Sequence, residues 1–381
     1  MKSDCYALFD LAQWKNGLAF KKIDFSSDGE PVIKIAELKN GITGQTQFTE
    51  GDYGDEVHLT KGDMLFSWSG NPETSIDVFW YNLPDGWLNQ HIFKVIPKPF
   101  VDRNFLYYLL KSLKATFTAI ASNKQTTGLG HITLKDLKKL NIALPSEKEQ
   151  KIIGRYLYTI DQKISVNQAI NDNLADLLQT VYQSQFGNVG SAAEQGTLSD
   201  ICSYSRDRVA VSMLEVSTYY STENMLPAKA GATEATSLPT IAQTTVCHKG
   251  DTLISNIRPY FKKIVYCEDE CGCSNDVLCF TPVQPQYAAF LFSTLYADKF
   301  FAFMVAGSKG TKMPRGDKRQ IMTFPVALPS DEKLEEFNAL ALPILAQIHS
   351  NRCENKRLSA VRDVLLPKLM AGEIDVAEVD I

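Results

Sequence analysis

Five histidines stand at positions 58, 91, 131, 248 and 349, and no two have a metal-ligand spacing such as His-x3-His. Four of the eight cysteines crowd together as Cys267, Cys271, Cys273 and Cys279, while the others stand singly at 5, 202, 247 and 353. A zinc site usually shows Cys-x2-Cys knuckles, whereas this segment alternates like a strand. These cysteines therefore read as free thiols in a half-buried strand, with zinc as the alternative, and the scattered remainder gives no disulfide framework. Gly307-Ser308-Lys309-Gly310-Thr311-Lys312 resembles a phosphate loop only superficially, because it does not fit Gly-x4-Gly-Lys-Ser/Thr. No catalytic or metal-binding residue is assigned. The chemistry left is that of binding. Lys309, Lys312, Arg315, Lys318 and Arg319 stand against the single Asp317, a pattern that fits a phosphate-neutralising loop or a solvated basic one.

The whole chain sets limits on that basic loop. A net charge of −5 argues against a protein coated with nucleic acid, and acidic residues gather at Glu268-Asp269-Glu270 and from Glu373 to Asp380. With 381 residues, 44% of them hydrophobic and 22% charged, the chain can bury two ordinary cores. No run of residues has the length and apolarity of a membrane span, and Met1-Lys2-Ser3-Asp4 lacks the apolar core of a secretory signal. A soluble, cytoplasmic protein that makes no membrane contact is expected.

The elements that position these residues are written twice. Ala143-Leu144-Pro145-Ser146 recurs 184 residues later as Ala327-Leu328-Pro329-Ser330, and Lys61-Gly62-Asp63 recurs 188 residues later as Lys249-Gly250-Asp251. After each Leu-Pro-Ser comes a helical stretch. Alternating steps of four and three from Ile153 give Leu157, Ile160, Ile164, Asn167, Asn171, Leu174, Leu178 and Val181, the seam of a coiled coil. The same positions 184 residues on are Phe337, Ala341, Ile344, Ile348, Asn351, Asn355, Leu358, Arg362 and Leu365, so both asparagine pairs fall in register. An asparagine in an apolar seam penalises pairings that leave it facing hydrocarbon, so Asn167, Asn171, Asn351 and Asn355 are assigned to fixing register, and the helices are expected to pair. Pro343 should kink or restart the second helix. The seam from Ile153 to Val181 covers about 42 Å at 1.5 Å per residue.

A globular region precedes each helix. Short strands are expected at Val32–Ile35, Met64–Trp68, Ile92–Ile96, Thr252–Ile257 and Val277–Phe280, and one apolar helix in each region, around Arg103–Ala121 and Gln286–Ala306. Their aromatic residues, Phe105, Tyr108, Phe117, Phe290, Phe300 and Phe301, are assigned to the core. Gly187-Asn188-Val189-Gly190-Ser191-Ala192-Ala193 has the composition of a flexible linker.

Several motifs resemble those of a known family. Trp14-Lys15-Asn16-Gly17-Leu18-Ala19-Phe20-Lys21, Asp24-Phe25 and Gly29-Glu30-Pro31-Val32-Ile33-Lys34-Ile35 resemble the opening of a target-recognition domain in the specificity subunits of type I restriction-modification systems. Asn89-Gln90-His91-Ile92 and Thr127-Gly128-Leu129-Gly130-His131-Ile132 resemble later turns of that domain. Leu144-Pro145-Ser146-Glu147-Lys148-Glu149-Gln150-Lys151-Ile152-Ile153 is similar to the signature that ends it, and Arg362 to Ile374 to the closing pattern. The second recognition region matches loosely, and its basic loop lacks the Thr-Gly-x-Gly-His wording of the first.

The resemblance implies an α+β fold in which two mixed α/β target-recognition domains in pseudo-repeat are separated by two long helices forming an antiparallel coiled coil. The division is 1–146 for the first domain, 147–187 for the first helix, 188–196 for the linker, 197–330 for the second domain, 331–372 for the second helix and 373–381 for the tail. The implied function is sequence-specific recognition of a bipartite site in double-stranded DNA without catalysis. Two modification (methyltransferase) subunits would use S-adenosylmethionine, and restriction (translocase and nuclease) subunits would use ATP and Mg. A methylation-only or phage-exclusion system, or less readily a scaffold that binds no DNA, is the alternative. A methyltransferase of its own would need a glycine-rich cofactor turn and an Asn/Asp-Pro-Pro-aromatic loop, and the chain has neither. DNA contact then falls to loops carrying donors and planar side chains. The candidates are Ser67, Trp68, Asn71, Lys124, Gln125, Thr126, Thr127 and His131 in the first copy, and Asn256, Arg258, Lys262, Lys309, Thr311, Lys312 and Arg315 in the second.

Overall fold

The computed structural model describes residues 4–125, 128–187 and 195–376. Most of the expected linker, the candidates Thr126 and Thr127, and positions 377–381 of the tail lie outside the described residues. The chain divides into two units, Met1–Ile164 with Lys356–Ile381, and Ser165–Asn355.

Both units are built on one plan. In the first, Ala12–Asn16, Ile92–Pro97, Met64–Ser67 and Asp77–Trp80 lie side by side in that order as an antiparallel sheet. In the second, Cys202–Tyr204, Val277–Pro282, Thr252–Ser255 and Ile264–Tyr266 repeat the order. A smaller mixed sheet recurs too. Glu30–Ile33 pairs in parallel with Gly86–Leu88, which pairs antiparallel with His58–Leu59. Tyr219–Tyr220, Cys271–Cys273 and Gln243–Cys247 do the same.

The four-stranded sheet of each unit is covered on both faces, which is why Met64–Ser67 and Thr252–Ser255 are buried along their whole length. On one face Phe66 packs on Phe117 with ring centroids 5.0 Å apart. On the other, Leu65 and Ile92 meet Ile33, Leu59 and Trp87 of the small sheet. In the second unit that inter-sheet layer holds Leu253 and Val265 with Cys247, Cys267, Cys271, Cys273 and Cys279. The crowded cysteines are thus fully buried core residues, not members of a half-buried strand, and they take the place that aliphatic and aromatic side chains fill in the first unit.

The single apolar helix expected in each region is two helices. Arg103–Ser112 and Lys114–Ser122 are separated at Leu113, and Ala288–Tyr296 and Asp298–Ala306 at Ala297, whose extended backbone (φ −64°, ψ 140°) ends the first of them. The second pair is bent by 67°. The bend lets both halves lay an apolar face on the core, where Phe290, Phe300 and Phe301 are buried, as are Phe105, Tyr108 and Phe117 in the first unit. No single helix among the described residues is long and apolar enough to cross a membrane.

The long helices are Glu147–Tyr182 and Asp331–Met370. Ser146 caps the first in a reciprocal box, its backbone N–H and hydroxyl both donating to Glu149 Oε2 at 2.8 and 2.7 Å. Gln150, 1% exposed, accepts from the Asp102 amide at 2.9 Å and donates to the Pro145 carbonyl at 2.9 Å. A Cβ on Gly154 would stand 2.6 Å from the Phe105 amide nitrogen, so only glycine lets this helix approach the start of Arg103–Ser112 so closely. The Ser-Glu-Lys-Glu-Gln wording is therefore a lock between helix and domain.

The two helices pair antiparallel. In the first unit Asp161 accepts from Tyr108 Oη and from Arg362 Nη1, each at 2.7 Å, and Leu157 and Leu369 share one core. In the second, Asn167 Nδ2 donates to Asn355 Oδ1 and Asn351 Nδ2 donates to Asn171 Oδ1, both at 2.8 Å. The second helix does not restart at Pro343. The carbonyl that the proline leaves without its usual partner is that of Ala339, an exposed residue where water can take it.

Candidate nucleic-acid interface

In each unit two loops distant in sequence meet beyond the end of the central strand of the four-stranded sheet. Ser69–Gly70, just past Met64–Ser67, pairs with Gly130–His131, and the Ile132 amide donates to the Trp68 carbonyl at 2.8 Å. In the second unit Ile257, just past Thr252–Ser255, bridges to Arg315, and the Arg258 amide donates to the Pro314 carbonyl at 2.8 Å. Ser69 sits opposite His131 and Ile257 opposite Arg315, which are equivalent positions of the repeat. His131 and Arg315 are both exposed there.

The candidates divide by placement. Ser67 is fully buried and its hydroxyl bonds the Ser75 carbonyl, so it packs the sheet and has no face to offer a ligand. Trp68 is half-buried, stacked on Phe93 with its indole N–H on Asn16 Oδ1 at 3.0 Å, a wall of the site more than a reader. Asn71 folds its own turn, accepting from the amides of Glu73 and Thr74 at 3.0 and 3.1 Å. Lys124 is bound to Asp136. Burial alone would raise that carboxyl, but the Lys124 ammonium and the Thr133 hydroxyl and amide hold it below the usual carboxylate range. Gln125 is exposed and donates to the Gly128 carbonyl at 2.8 Å.

In the second unit Asn256 is 7% exposed, and its Oδ1 has no partner among the described residues. Arg258 and Lys262 both have left-handed backbones, with φ of 50° and 51°. Lys262 is paired with Asp298 at 3.0 Å, Arg315 with Asp276 at 3.0 Å and Lys309 with Asp317 at 2.6 Å. The Lys309 ammonium and the amides of Gln320 and Arg319 hold Asp317 down to about 2. Thr311 and Lys312 stand exposed at the loop tip. Among the described residues neither Lys312 nor Arg258 has a carboxylate partner, and Arg258 Nη2 reaches only the Lys312 carbonyl at 3.4 Å.

Residue types alone did not single out Tyr260, Phe261 and Met313, which are 50%, 39% and 52% exposed beside Arg258 and Lys312. The available signal was the aromatic pair between basic residues in Arg258-Pro259-Tyr260-Phe261-Lys262-Lys263. Asp276 and Asp298, which hold Arg315 and Lys262 in place, carry no such signal, because their partners come from other parts of the chain.

Residues 2–175 match the family model described as "Type I restriction modification DNA specificity domain". The specificity subunit of the type I restriction enzyme EcoBI from Escherichia coli is 26% identical over 177 residues, 46% of this chain and 35% of that protein. The MjaIX specificity subunit from Methanocaldococcus jannaschii is 33% identical over 75 residues, 20% of this chain and 17% of that protein. The matched stretches thus span about a third of the length of the first relative and less of the second. The crystal structure of the S subunit of a type I restriction-modification system from M. genitalium shares the fold over 96% of this chain and 95% of its own, with a TM-score of 0.58 at 17% identity. The family model thus covers just under half of the chain, and the fold of the M. genitalium S subunit is shared almost end to end.

Proposed function

We propose that this chain is the DNA-sequence-reading subunit of a type I restriction-modification complex. It reads a bipartite site in double-stranded DNA, one part with each unit, and positions two modification subunits and the restriction subunits. The observation that carries this reading is the repeated loop crossing, which presents His131 in one unit and Arg315 in the other at the same place on the same scaffold.

The side chains at each crossing suit the two tasks of DNA recognition. Among the described residues Lys312 and Arg258 have no carboxylate partner and suit phosphates, whereas Gln125, His131 and Arg315 carry the planar donors that address base edges. Lys309, Lys262 and Arg315 must exchange a carboxylate for DNA. That exchange weakens indiscriminate attachment to any phosphate backbone and suits a chain of net charge −5. The chain performs no chemistry and holds no cofactor of its own. S-adenosylmethionine belongs to the modification subunits, which must draw an adenine out of the stack to methylate it, and ATP and Mg belong to the restriction subunits.

Expression with the modification subunit, followed by genome-wide mapping of methylated adenines, tests this reading. The expected result is one bipartite motif with an unread spacer. Methylation that is unchanged when this chain is omitted, or DNA retention that is the same with and without it, overturns the reading.

A further inference from the structure

Among the described residues, four non-glycine residues have positive φ: Ala228 (53°), Lys229 (63°), Arg258 (50°) and Lys262 (51°). All four lie in two loops that touch. The Ala228 amide donates to the Phe261 carbonyl at 2.8 Å and the Lys229 amide to the Lys262 carbonyl at 2.9 Å. The ammoniums of Lys229 and Lys262 converge on Asp298 Oδ1 at 2.8 and 3.0 Å. Lys229 also lies over the Tyr296 ring at 4.5 Å, and Lys263 ties the second loop to the Thr222 carbonyl at 2.6 Å.

A left-handed residue that carries a Cβ is disfavoured, and chains normally place glycine there. The first unit does so at the equivalent turn, where Gly70 has φ of 119°. The second unit keeps an arginine in that place and braces the loop from a second one. Non-glycine left-handed residues collect where the surrounding structure over-determines them, and such sites are commonly functional. What this brace holds out is a single short turn, Pro259–Phe261, with the Tyr260 and Phe261 rings 4.8 Å apart. Both rings are substantially exposed, and the turn is flanked by Arg258 and Lys312, neither of which has a carboxylate partner among the described residues.

We propose that Tyr260, backed by Phe261, is a preset stacking wedge that engages one base step of duplex DNA in the half-site read by the second unit. The proposal rests on the DNA-reading function above. Duplex DNA is the occupant because the wedge is continuous with the loop crossing at Ile257 and Arg315 and is flanked by unneutralised cations. An exposed aromatic ring on a braced turn can enter a base step with little loss of conformational freedom, unstack it and so read its deformability without hydrogen bonds to base edges. Phe261 is the support, because its own carbonyl is held by Ala228.

The test uses the full chain with its modification subunit on duplexes carrying the mapped target, with 2-aminopurine placed in turn at each adenine-compatible position of the second half-site. The wild-type complex should change the fluorescence at one step. Tyr260→Phe should keep that signal, and Tyr260→Ala should abolish it. Tyr260→Ala should also weaken target binding roughly 5- to 100-fold, the range for loss of one base–aromatic stack, with less than a twofold effect on random duplex of the same length. Equal target affinity for wild type and Tyr260→Ala, or a fluorescence change that survives in Tyr260→Ala, overturns the wedge and leaves DNA reading intact. If the wild-type complex does not distinguish target from random duplex, the wedge falls together with the reading on which it rests.

Discussion

The asparagine pair at Asn171 and Asn351 makes an asymmetric prediction. Both side chains are buried in the helix seam, at 3% and 6% exposure, and are joined by one hydrogen bond from Asn351 Nδ2 to Asn171 Oδ1 at 2.8 Å. Asn351 has further support, since its Oδ1 accepts from Gln347 Nε2 at 2.7 Å, whereas Asn171 Nδ2 has no partner among the described residues. Asn171→Ala removes one hydrogen bond and exchanges one unpaired donor, Asn171 Nδ2, for another, Asn351 Nδ2, so it should cost about 1 kcal/mol. Asn351→Ala strips the last partner from Asn171 and leaves both its polar atoms buried and unpaired, which should cost about 2–3 kcal/mol. The volume lost is the same in both variants, so the cavity contribution largely cancels in the comparison. The difference of about 1–2 kcal/mol is roughly 5- to 30-fold in the local opening equilibrium. Amide hydrogen exchange along 165–175 and 347–355 measures that opening residue by residue, which suits a chain of two units better than a single unfolding midpoint. The double alanine variant should cost less than the two single costs added together, because the second substitution removes the atoms that the first left unpaired. Equal costs for the two single variants, or a larger cost for Asn171→Ala, would refute the reasoning.

Asp77 lies between the Lys111 and Lys114 ammoniums at 3.0 and 2.9 Å; burial alone would raise its carboxyl, and the two ammoniums more than offset that and hold it below the ordinary value of 3.8. Its folded pKa is depressed, so its contribution is present above the ordinary carboxylate range and is lost as pH falls through the folded value. Asp77→Asn should therefore destabilise the first unit by roughly 1–2 kcal/mol at neutral pH and by almost nothing in strong acid, and thermal unfolding across pH that shows a constant difference would contradict this. Lys312→Ala should lower the slope of log affinity against log salt by about 0.9 in the assembled complex, and Lys309→Ala by less because its ammonium is held by Asp317 at 2.6 Å. A double variant that keeps the wild-type slope and affinity would identify the loop as solvated surface. Cys271→Ser and Cys273→Ser each place a hydroxyl in the layer between the sheets, at 5% and 0% exposure, and should cost about 1–3 kcal/mol each with the fold retained. Stoichiometric zinc in the wild-type protein, lost together with the fold in the double variant, would show the cysteines to be ligands.

The sequence by itself determined what local spacing can express. Steps of four and three along residues 153–181 and 337–365 report which face of each helix is buried, and burial follows that spacing, with Leu157, Asn167 and Leu178 at 0%, 1% and 1% exposure. The α+β class and the twofold repeat are legible for the same reason, since a duplicated motif such as Ala-Leu-Pro-Ser carries its local structure with it. Contacts between distant segments were decided by the tertiary structure alone. Heptad spacing is the same for either direction of pairing, so the placement of Asn167 against Asn355 depends on how the chain returns. Ser67 has the residue type of a phosphate contact, and it is buried because Ser75 and the strand pairings on both sides close over it. The breaks at Leu113 and Ala297 interrupt apolar runs that read as continuous helix, because a curved core offers more contact to two short helices than to one straight one. The left-handed backbones of Arg258 and Lys262 run against residue preference, which a sequence can register only as an average. The hydrogen bonds from Ala228 and Lys229 and the carboxylate of Asp298 outweigh that preference, and all three reach the loop from other parts of the chain.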